Sequence, residues 1–368
     1  MPLLHLPLPS LISLDVQFED PDLLQDCFKS FPTFSPNIRR LSICVQFHTG
    51  EIDHNHIYRW RSLQSVVCPD VALNVDALSH LSRMPEMTEL SFGISSATLP
   101  DPITLSSSPP FFSNLQKLTL LSTSLDPISR LLSRIRLPVI RKFAAFIDTN
   151  PSKQDLCSFF VGVQTSGAGH TIESLCLGQT CHLTNISSSR VVALLGSEDL
   201  RPCMAFTSLR HVDLNIGWGV GLTDNELLAL ASAWPYLQDL AINQEWGWNT
   251  RSGITLRGLV QLLQICRSLS HVSLVLNTRG YSDLYHSLDS PELTLPCALF
   301  IDVLDSVIEE ESVPAIGAFF AGIAQYCTGF ILISWGAVAV VGPPDVEEYR
   351  HRWDAVCEQA EAAVYKRS

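Results

Sequence analysis

Basic residues are in short supply: 24 Lys and Arg stand against 37 Asp and Glu, a formal charge of −13. A surface with that balance has no positive footprint for a phosphate backbone, so nucleic acid is not an expected partner. Paired cysteines are missing too. The eleven, at Cys27, Cys44, Cys68, Cys157, Cys176, Cys181, Cys203, Cys266, Cys297, Cys327 and Cys357, are scattered singly and mostly in apolar runs. An odd, scattered set excludes a disulfide framework and fits reduced core thiols of a cytoplasmic or nuclear protein. The N-terminal stretch Met1-Pro2-Leu3-Leu4-His5-Leu6-Pro7 lacks a basic segment and is broken by prolines, so no signal peptide is expected and the sequon at Asn185 carries no weight. Charged residues make up only 17% against 46% hydrophobic ones, which excludes a disordered chain.

Catalytic motifs are equally scarce. There is no nucleophile elbow, no paired His-Glu zinc motif and no phosphate loop with its lysine. Gly217-Trp218-Gly219-Val220-Gly221 has two of the glycines of a dinucleotide fingerprint, but Leu222 stands where a third is needed, and a loop leaving a strand is the better reading. Cys176 with Cys181 and His182, or Asp53 with His54 and His56, lack a second ligand pair at metal-site spacing. The expectation is therefore a non-enzyme with no cofactor and no metal.

What the chain has in abundance is a short frame of three apolar positions: one, two variable residues, another, one variable residue, and a third. Clear copies start at Leu11, Ile38, Leu115, Ile172, Leu209, Leu237 and Leu269, and weaker ones at Leu63, Met87, Ile140, Ala298 and Phe330. Start-to-start spacings run from 24 to 37 residues and average about 29, room for a strand and a full helix in each unit. Apolar residues at three and four spacing predict helices at Asp20–Phe31, Asp76–Met84, Asp126–Ile135, Gln154–Val163, Asp224–Trp234 and Leu256–Cys266, with Thr223 and Thr255 as N-caps. A unit of this kind cannot bury its apolar face alone, whereas stacked units can. The expectation is an α/β leucine-rich-repeat solenoid, a horseshoe of about twelve repeats with a parallel sheet on its concave face and helices outside. Residues 1–344 form the solenoid and 345–368 a capping helix.

The variable residue between the last two apolar positions should point out from the wall. That column reads Asp15, Ser42, Val67, Ser91, Thr119, Ala144, Cys176, Asp213, Ala241, Ser273, Asp302 and Ser334. Trp218, Trp246 and Trp248 follow consecutive strands, near Asn243, and His211, Asp213, Asp239 and His271 line the adjacent wall. These eight residues are the candidate protein-binding set: aromatic anchors beside an acidic wall suited to a basic or polar partner segment.

The stretch Thr223-Asp-Asn-Glu-Leu-Leu-Ala-Leu-Ala-Ser-Ala-Trp234, the run from Trp246 to Cys266, and the C-terminal part from Asp302 onward together resemble fungal F-box/leucine-rich-repeat proteins. The resemblance covers roughly Leu8 to the C-terminus. It implies the target-binding part of a ubiquitin-ligase receptor, with a protein target on the concave face. Skp1 and a cullin follow only if an F-box lies upstream, since this chain enters its first repeat within about ten residues of Met1. The alternatives are a stand-alone repeat scaffold without ligase link and a membrane-anchored binding protein. The last arises because Ser312 through Pro344 carries no Asp, Glu, Lys or Arg. A buried last repeat, with a helix near Ala315–Cys327 and a strand Phe330–Trp335, explains the same stretch, and a membrane is not the expected partner. On this reading, Ala at Trp246 and Trp248 should weaken partner capture and leave thermal stability nearly unchanged. Equal loss of both properties in a pull-down and a melting curve would make these side chains packing.

Overall fold

The computed structural model describes residues 10–18, 33, 35–45, 54–94, 110–180, 194–248, 250–279, 298–335 and 346–365. Every copy of the apolar frame falls on a strand. The chain divides into two compact units, Met1–Ile172 and Glu173–Ser368. The first carries β1 (Ser13–Phe18), β2 (Arg40–Val45), β3 (Ser65–Ala72), β4 (Glu89–Ile94), β5 (Lys117–Ser122) and β6 (Lys142–Ile147), each pairing in parallel with the next. The second carries β7 (Ser174–Gln179), β9 (His211–Asn215), β11 (Asp239–Ile242), β12 (His271–Ser273), β13 (Ala298–Asp302) and β14 (Gly329–Ile333), paired in the same manner. Within the second unit, β8 (Leu194–Leu195) and β10 (Gly219–Val220) form a separate two-stranded ladder. The architecture is an α/β solenoid of leucine-rich-repeat type with twelve repeat strands.

A single backbone device recurs along both units. The carbonyl of the residue after the first apolar position accepts two N–H groups from the following repeat. Arg39 O takes Gln64 N–H (2.7 Å) and Ser65 N–H (3.0 Å), Thr88 O takes Gln116 (2.8 Å) and Lys117 (3.0 Å), and Arg210 O takes Gln238 (2.7 Å) and Asp239 (2.9 Å). Ile12, Gln64, Gln116, Glu173 and Gln238 do the same. Such a carbonyl uses both lone pairs, so a slip of one residue would orphan two donors.

Among the described residues the helices are α1 (Val75–Ser82), α2 (Leu125–Leu132), α3 (Lys153–Thr165), the single turn α4 (Ser197–Leu200), α5 (Asp224–Ala233), α6 (Leu256–Ile265), α7 (Val313–Ala324) and α8 (Val346–Tyr365). Five of the six repeat helices expected from the sequence are present within a few residues of their predicted ends. The sixth, Asp20–Phe31, lies outside the described residues. Buried positions follow the helical period: Leu125, Ile128, Leu131 and Leu132 on α2, and Leu256, Leu259, Val260, Leu262 and Leu263 on α6. The two threonine caps form. Thr223 donates from N–H (2.9 Å) and from its hydroxyl (2.8 Å) to Glu226, and Thr255 Oγ1 accepts from Gly258 N–H (3.2 Å). Thr255 also donates twice to Asp224 at the start of the preceding helix, each at 2.7 Å. A Cβ at position 258 would lie 1.9 Å from Asp224 Oδ1, so glycine keeps that inter-repeat bond possible.

The uncharged stretch resolves into α7, a turn and β14, with residues 336–344 outside the described set. Ile316, Phe319, Phe320 and Ile323 of α7 are buried, as are Trp353, Val356 and Ala360 of α8, and Phe320 meets Trp353 edge-on at 6.0 Å. Trp353 Nε1 donates to Ser306 O at 2.8 Å. Twelve helical residues extend only about 18 Å, short of the roughly 30 Å hydrocarbon core of a bilayer. Among the described residues no helix is long and apolar enough to cross a membrane.

The last repeat departs from the expected phase by one residue. Leu299 pairs with Phe330, Ile301 with Leu332 and Asp302 with Ile333, so Ile333, not Ser334, continues the outward column. Phe330 and Leu332 are accordingly buried while Ile331 is 55% exposed. In the corrected phase, the three non-glycine residues of positive φ occupy one position, the first after the third apolar site: Asn243 (φ 54), Leu304 (φ 49) and Trp335 (φ 52). Asparagine tolerates that region, whereas Leu and Trp there store strain of about 1–3 kcal/mol each.

Gln116→Pro, which deletes one of the paired donors to Thr88 O, is expected to cost about 1–3 kcal/mol in denaturant unfolding. Gln116→Ala should stay within about 0.5 kcal/mol. Equal effects of the two would show that the backbone fork is not what holds the repeats in register.

Candidate functional site

Parallel pairing in strict register places equivalent residues of successive strands side by side at about 4.8 Å, and residues two apart on a strand share a face. In the second unit this builds two rows on one sheet face. The inner row is Cys176, Asp213, Ala241, Ser273, Asp302 and Ile333, and the outer row is Ser174, His211, Asp239, His271, Phe300 and Ile331.

The inner row is less exposed than its column position predicts. Cys176 and Asp213 are half-buried, and Ala241, Ser273 and Asp302 are buried. Part of the reason is the loop after β11. Gln244 acts on the Asp302 carboxyl and Glu245 on both Cys176 and Asp213. Burial pushes the Asp213 carboxyl above the usual range, against the Cys176 thiol hydrogen bond, with Glu245 adding to the rise and His271 opposing it. Burial likewise raises Asp302, against the Leu304 N–H donated to Oδ1 at 3.0 Å and the Gln244 side chain.

The outer row is the accessible one. His211 and Asp239 are 44% and 39% exposed at their side chains and are hydrogen-bonded through His211 Nδ1 and Asp239 Oδ2. His271 is half-buried, with Nε2 3.2 Å from Ser273 Oγ and its ring edge-on to Phe300 at 4.6 Å. The row passes from polar to apolar along the sheet, ending on Phe300 and Ile331.

Three of the eight candidate residues prove to be interior. Trp248 is 0% exposed, with Nε1 donating to Ile242 O (2.8 Å) and its N–H to Asp305 Oδ1 (2.7 Å). Asn243 is also 0% exposed. Its N–H binds Leu214 O (2.7 Å), Oδ1 accepts from Ile216 N–H (3.1 Å), Nδ2 donates to Trp218 O, and its carbonyl takes Gly247 N–H (2.8 Å). Trp218 is 4% exposed. The physical reason is that the loops after β9 and β11 fold onto one another and satisfy their own backbone. Trp248→Ala would empty a core site at a cost of about 3–5 kcal/mol, so stability and capture cannot be separated there. Trp246 is half-buried. The accessible members of the candidate set are thus His211, Asp213, Asp239, His271 and, in part, Trp246.

Phe300 and Ile331 were missed, although the residue preceding the central apolar position was there to be read in every repeat. The same position in the first unit carries Arg40, Ser65, Glu89, Lys117 and Lys142. Glu89 holds Lys117 at 2.7 Å and accepts from Ser65 at 2.8 Å. Burial raises its carboxyl, but those two bonds and the charges of Lys117 and Arg40 bring it below the usual range. That row is mainly basic, a contrast the overall charge conceals.

Nucleophilic chemistry is poorly served. Burial pushes the Cys68 and Cys176 thiols up to about 12 and Cys266 up to about 11, away from the reactive thiolate. Ser273 lies beside His271 but is 0% exposed, so a substrate cannot reach it. Among the described residues no cluster of His, Cys, Asp and Glu could hold a metal ion. Asp53, Cys181 and His182 lie outside the described residues, and the side chains of His54 and His56 do as well. The glycine-rich segment is a loop: Gly217 has φ 64 and Gly219-Val220 pairs with Leu194-Leu195. A groove of about 750 Å³ is lined by Arg251, Asn277, Arg279, Asp305, Glu309 and Trp335, among others, but its two cations face two anions, and Arg279 already holds Glu309 at 2.7 Å.

No protein-family model matches the chain, and no curated protein does. Solved structures do. An internalin from Listeria monocytogenes is 11% identical with a TM-score of 0.34, over 91% of this chain and 88% of that one. The yeast Rad7–Elc1 complex is 13% identical with a TM-score of 0.39, over 83% and 73%. The leucine-rich-repeat ectodomain of the Arabidopsis receptor kinase HAESA, solved with a peptide hormone, is 16% identical with a TM-score of 0.30, over 90% and 67%. The neighbours are leucine-rich-repeat proteins, and the likeness is one of fold.

Asp302→Asn tests the electrostatics of the covered row. With its folded pKa raised above the ordinary 3.8, ionised Asp302 opposes folding at neutral pH and ceases to do so below 3.8. The variant should raise the thermal midpoint at pH 7 by a few degrees, and the gain should shrink as pH falls toward 3.8. A lower midpoint at pH 7 would show that the carboxylate charge is needed.

Proposed function

We propose that the chain is a protein-recognition module that holds a target protein on the exposed sheet face of its second unit. The observation that carries this reading is the outer row. His211, Asp239, His271, Phe300 and Ile331 stand side by side on five neighbouring strands, half-buried or exposed, with no reactive group or metal cluster among them. A rigid array of contact groups without chemistry is suited to binding.

The resemblance of its repeats to fungal F-box/leucine-rich-repeat proteins extends the proposal to the target-binding part of a ubiquitin-ligase receptor, working in the cytoplasm or nucleus. A stand-alone scaffold uses the same face and differs only in what else is recruited.

The test is affinity purification of the chain from fungal cells beside a His211→Ala/Asp239→Ala/His271→Ala variant, with mass spectrometry of what co-purifies and a melting curve for each. The expected result is loss of at least one captured protein at an unchanged midpoint. Retention of every partner by the variant would overturn recognition through this face. Skp1 and a cullin among the retained proteins would support the ligase reading, and their absence would favour the scaffold.

A further inference from the structure

The outer row of the second unit changes character along its length, and the change has a measurable spacing. Its β9–β11 end is polar and acidic: Asp239 is half exposed beside His211, Asp213 stands two residues along β9 on the same face, and exposed Glu245 follows β11. No Lys or Arg lies in either row between β7 and β14. The β13–β14 end is apolar: Phe300 is half-buried, Ile331 is 55% exposed, and Ile333 adjoins them in the inner row. Among the described residues, exposed Ile331 at the apolar end of the row has a favourable burial left unmade.

We propose that this face takes an extended segment of a partner protein in which a basic residue and a bulky apolar residue stand four positions apart. The inference rests on the recognition reading above and specifies its ligand. Asp239 and Ile331 are three strand spacings apart and Asp239 and Phe300 two, about 14 Å and about 10 Å at 4.8 Å per strand. An extended chain lying across the strands advances about 3.3 Å per residue and turns alternate side chains to opposite sides, so the separation of about four residues, matching Asp239 to Ile331, is the one that brings both side chains to the sheet. The Lys or Arg is seated against Asp239, with Asp213 and Glu245 contributing to the field, while the Leu, Ile, Phe or Met covers Ile331 and Phe300. His271, between the two ends, bears its imidazole toward the middle of the segment, where a backbone carbonyl or amide satisfies it. The basic charge supplies attraction and register, and the apolar contact supplies most of the affinity.

The experiment uses the full chain and fluorescein-labelled peptides with one Lys and one Leu in a Ser/Thr background, the separation varied from one to seven residues, read by fluorescence anisotropy at low and high salt. The expected result is tightest binding at a separation of four, with weaker binding at the odd separations on either side. Asp239→Asn should weaken it about two- to fivefold and flatten the salt dependence. Ile331→Ser should weaken it about tenfold, leave the salt dependence intact, and abolish the preference for Leu over Ser in the peptide. Ile331→Thr, which keeps the β-branch and so the strand, guards against a folding defect and should behave likewise, with melting curves recorded for all three variants. Affinity that ignores the Lys-to-Leu separation, or that survives both substitutions unchanged, overturns the inference. Partner capture lost in the triple-alanine variant while these peptides show no spacing preference would sink the ligand assignment alone. Capture that survives the triple-alanine variant would sink the recognition reading beneath it.

Discussion

The backbone carbonyl that accepts two N–H groups from the following repeat is the constraint on which the remaining geometry depends. Arg39, Thr88 and Arg210 each hold two donors of the next strand between 2.7 and 3.0 Å. Both lone pairs are used and both neighbours' donors are satisfied, so each strand has one low-energy phase relative to the last. From that phase follow the lateral alignment of Val212, Leu240 and Val272 in the core and of His211, Asp239 and His271 on the exposed face. The exposed row exists because a backbone bond is repeated, and the side chains in the row take no part in setting their own spacing.

Covering the sheet is the second requirement, met differently along the chain. Amphipathic helices such as α2 and α6 present apolar stripes at helical period, whereas α7 is apolar nearly all round and is buried in turn by α8 through Trp353 and Val356. The absence of charge from Ser312 to Pro344 is thus accounted for, over its described part, by a helix covered on more than one side. The neighbouring strand exits carry the cost of closure: Leu304 and Trp335 adopt left-handed backbone that their side chains disfavour, with the Leu304 carbonyl accepting the Trp335 N–H at 2.9 Å.

The repeats were legible because burial forces apolar residues onto fixed positions, and the frame around Leu115, Leu118 and Leu120 or Leu237, Leu240 and Ile242 has polar residues marking its phase. The final repeat was misphased for the converse reason. Phe330-Ile331-Leu332-Ile333 is apolar at every position, so two phases satisfy the pattern and only the ladder to Leu299 and Ile301 distinguishes them. The polar half of the exposed row was legible, since His211, Asp239 and His271 stand in a fixed place within the frame. Its apolar half was hidden by the slipped phase at Ile331 and by the resemblance of Phe300 to a core residue. Trp218 and Trp248 proved interior because composition does not say which way a loop folds: Trp248 turns inward, its indole N–H already held by Ile242 O, and Asn243 spends its polar groups on its own loop and on β9 with the loop after it.

Because the register is written in main-chain atoms, the identity of the exposed residues is decoupled from the ability to fold. The first unit carries Arg40, Glu89, Lys117 and Lys142 where the second carries His211, Asp239 and His271, each unit on its own parallel ladder with the same kind of forked carbonyl. Two vocabularies are thus spelled on one grammar. A surface of this kind can exchange one specificity for another by substitution alone, with no loop rebuilt and no core residue disturbed.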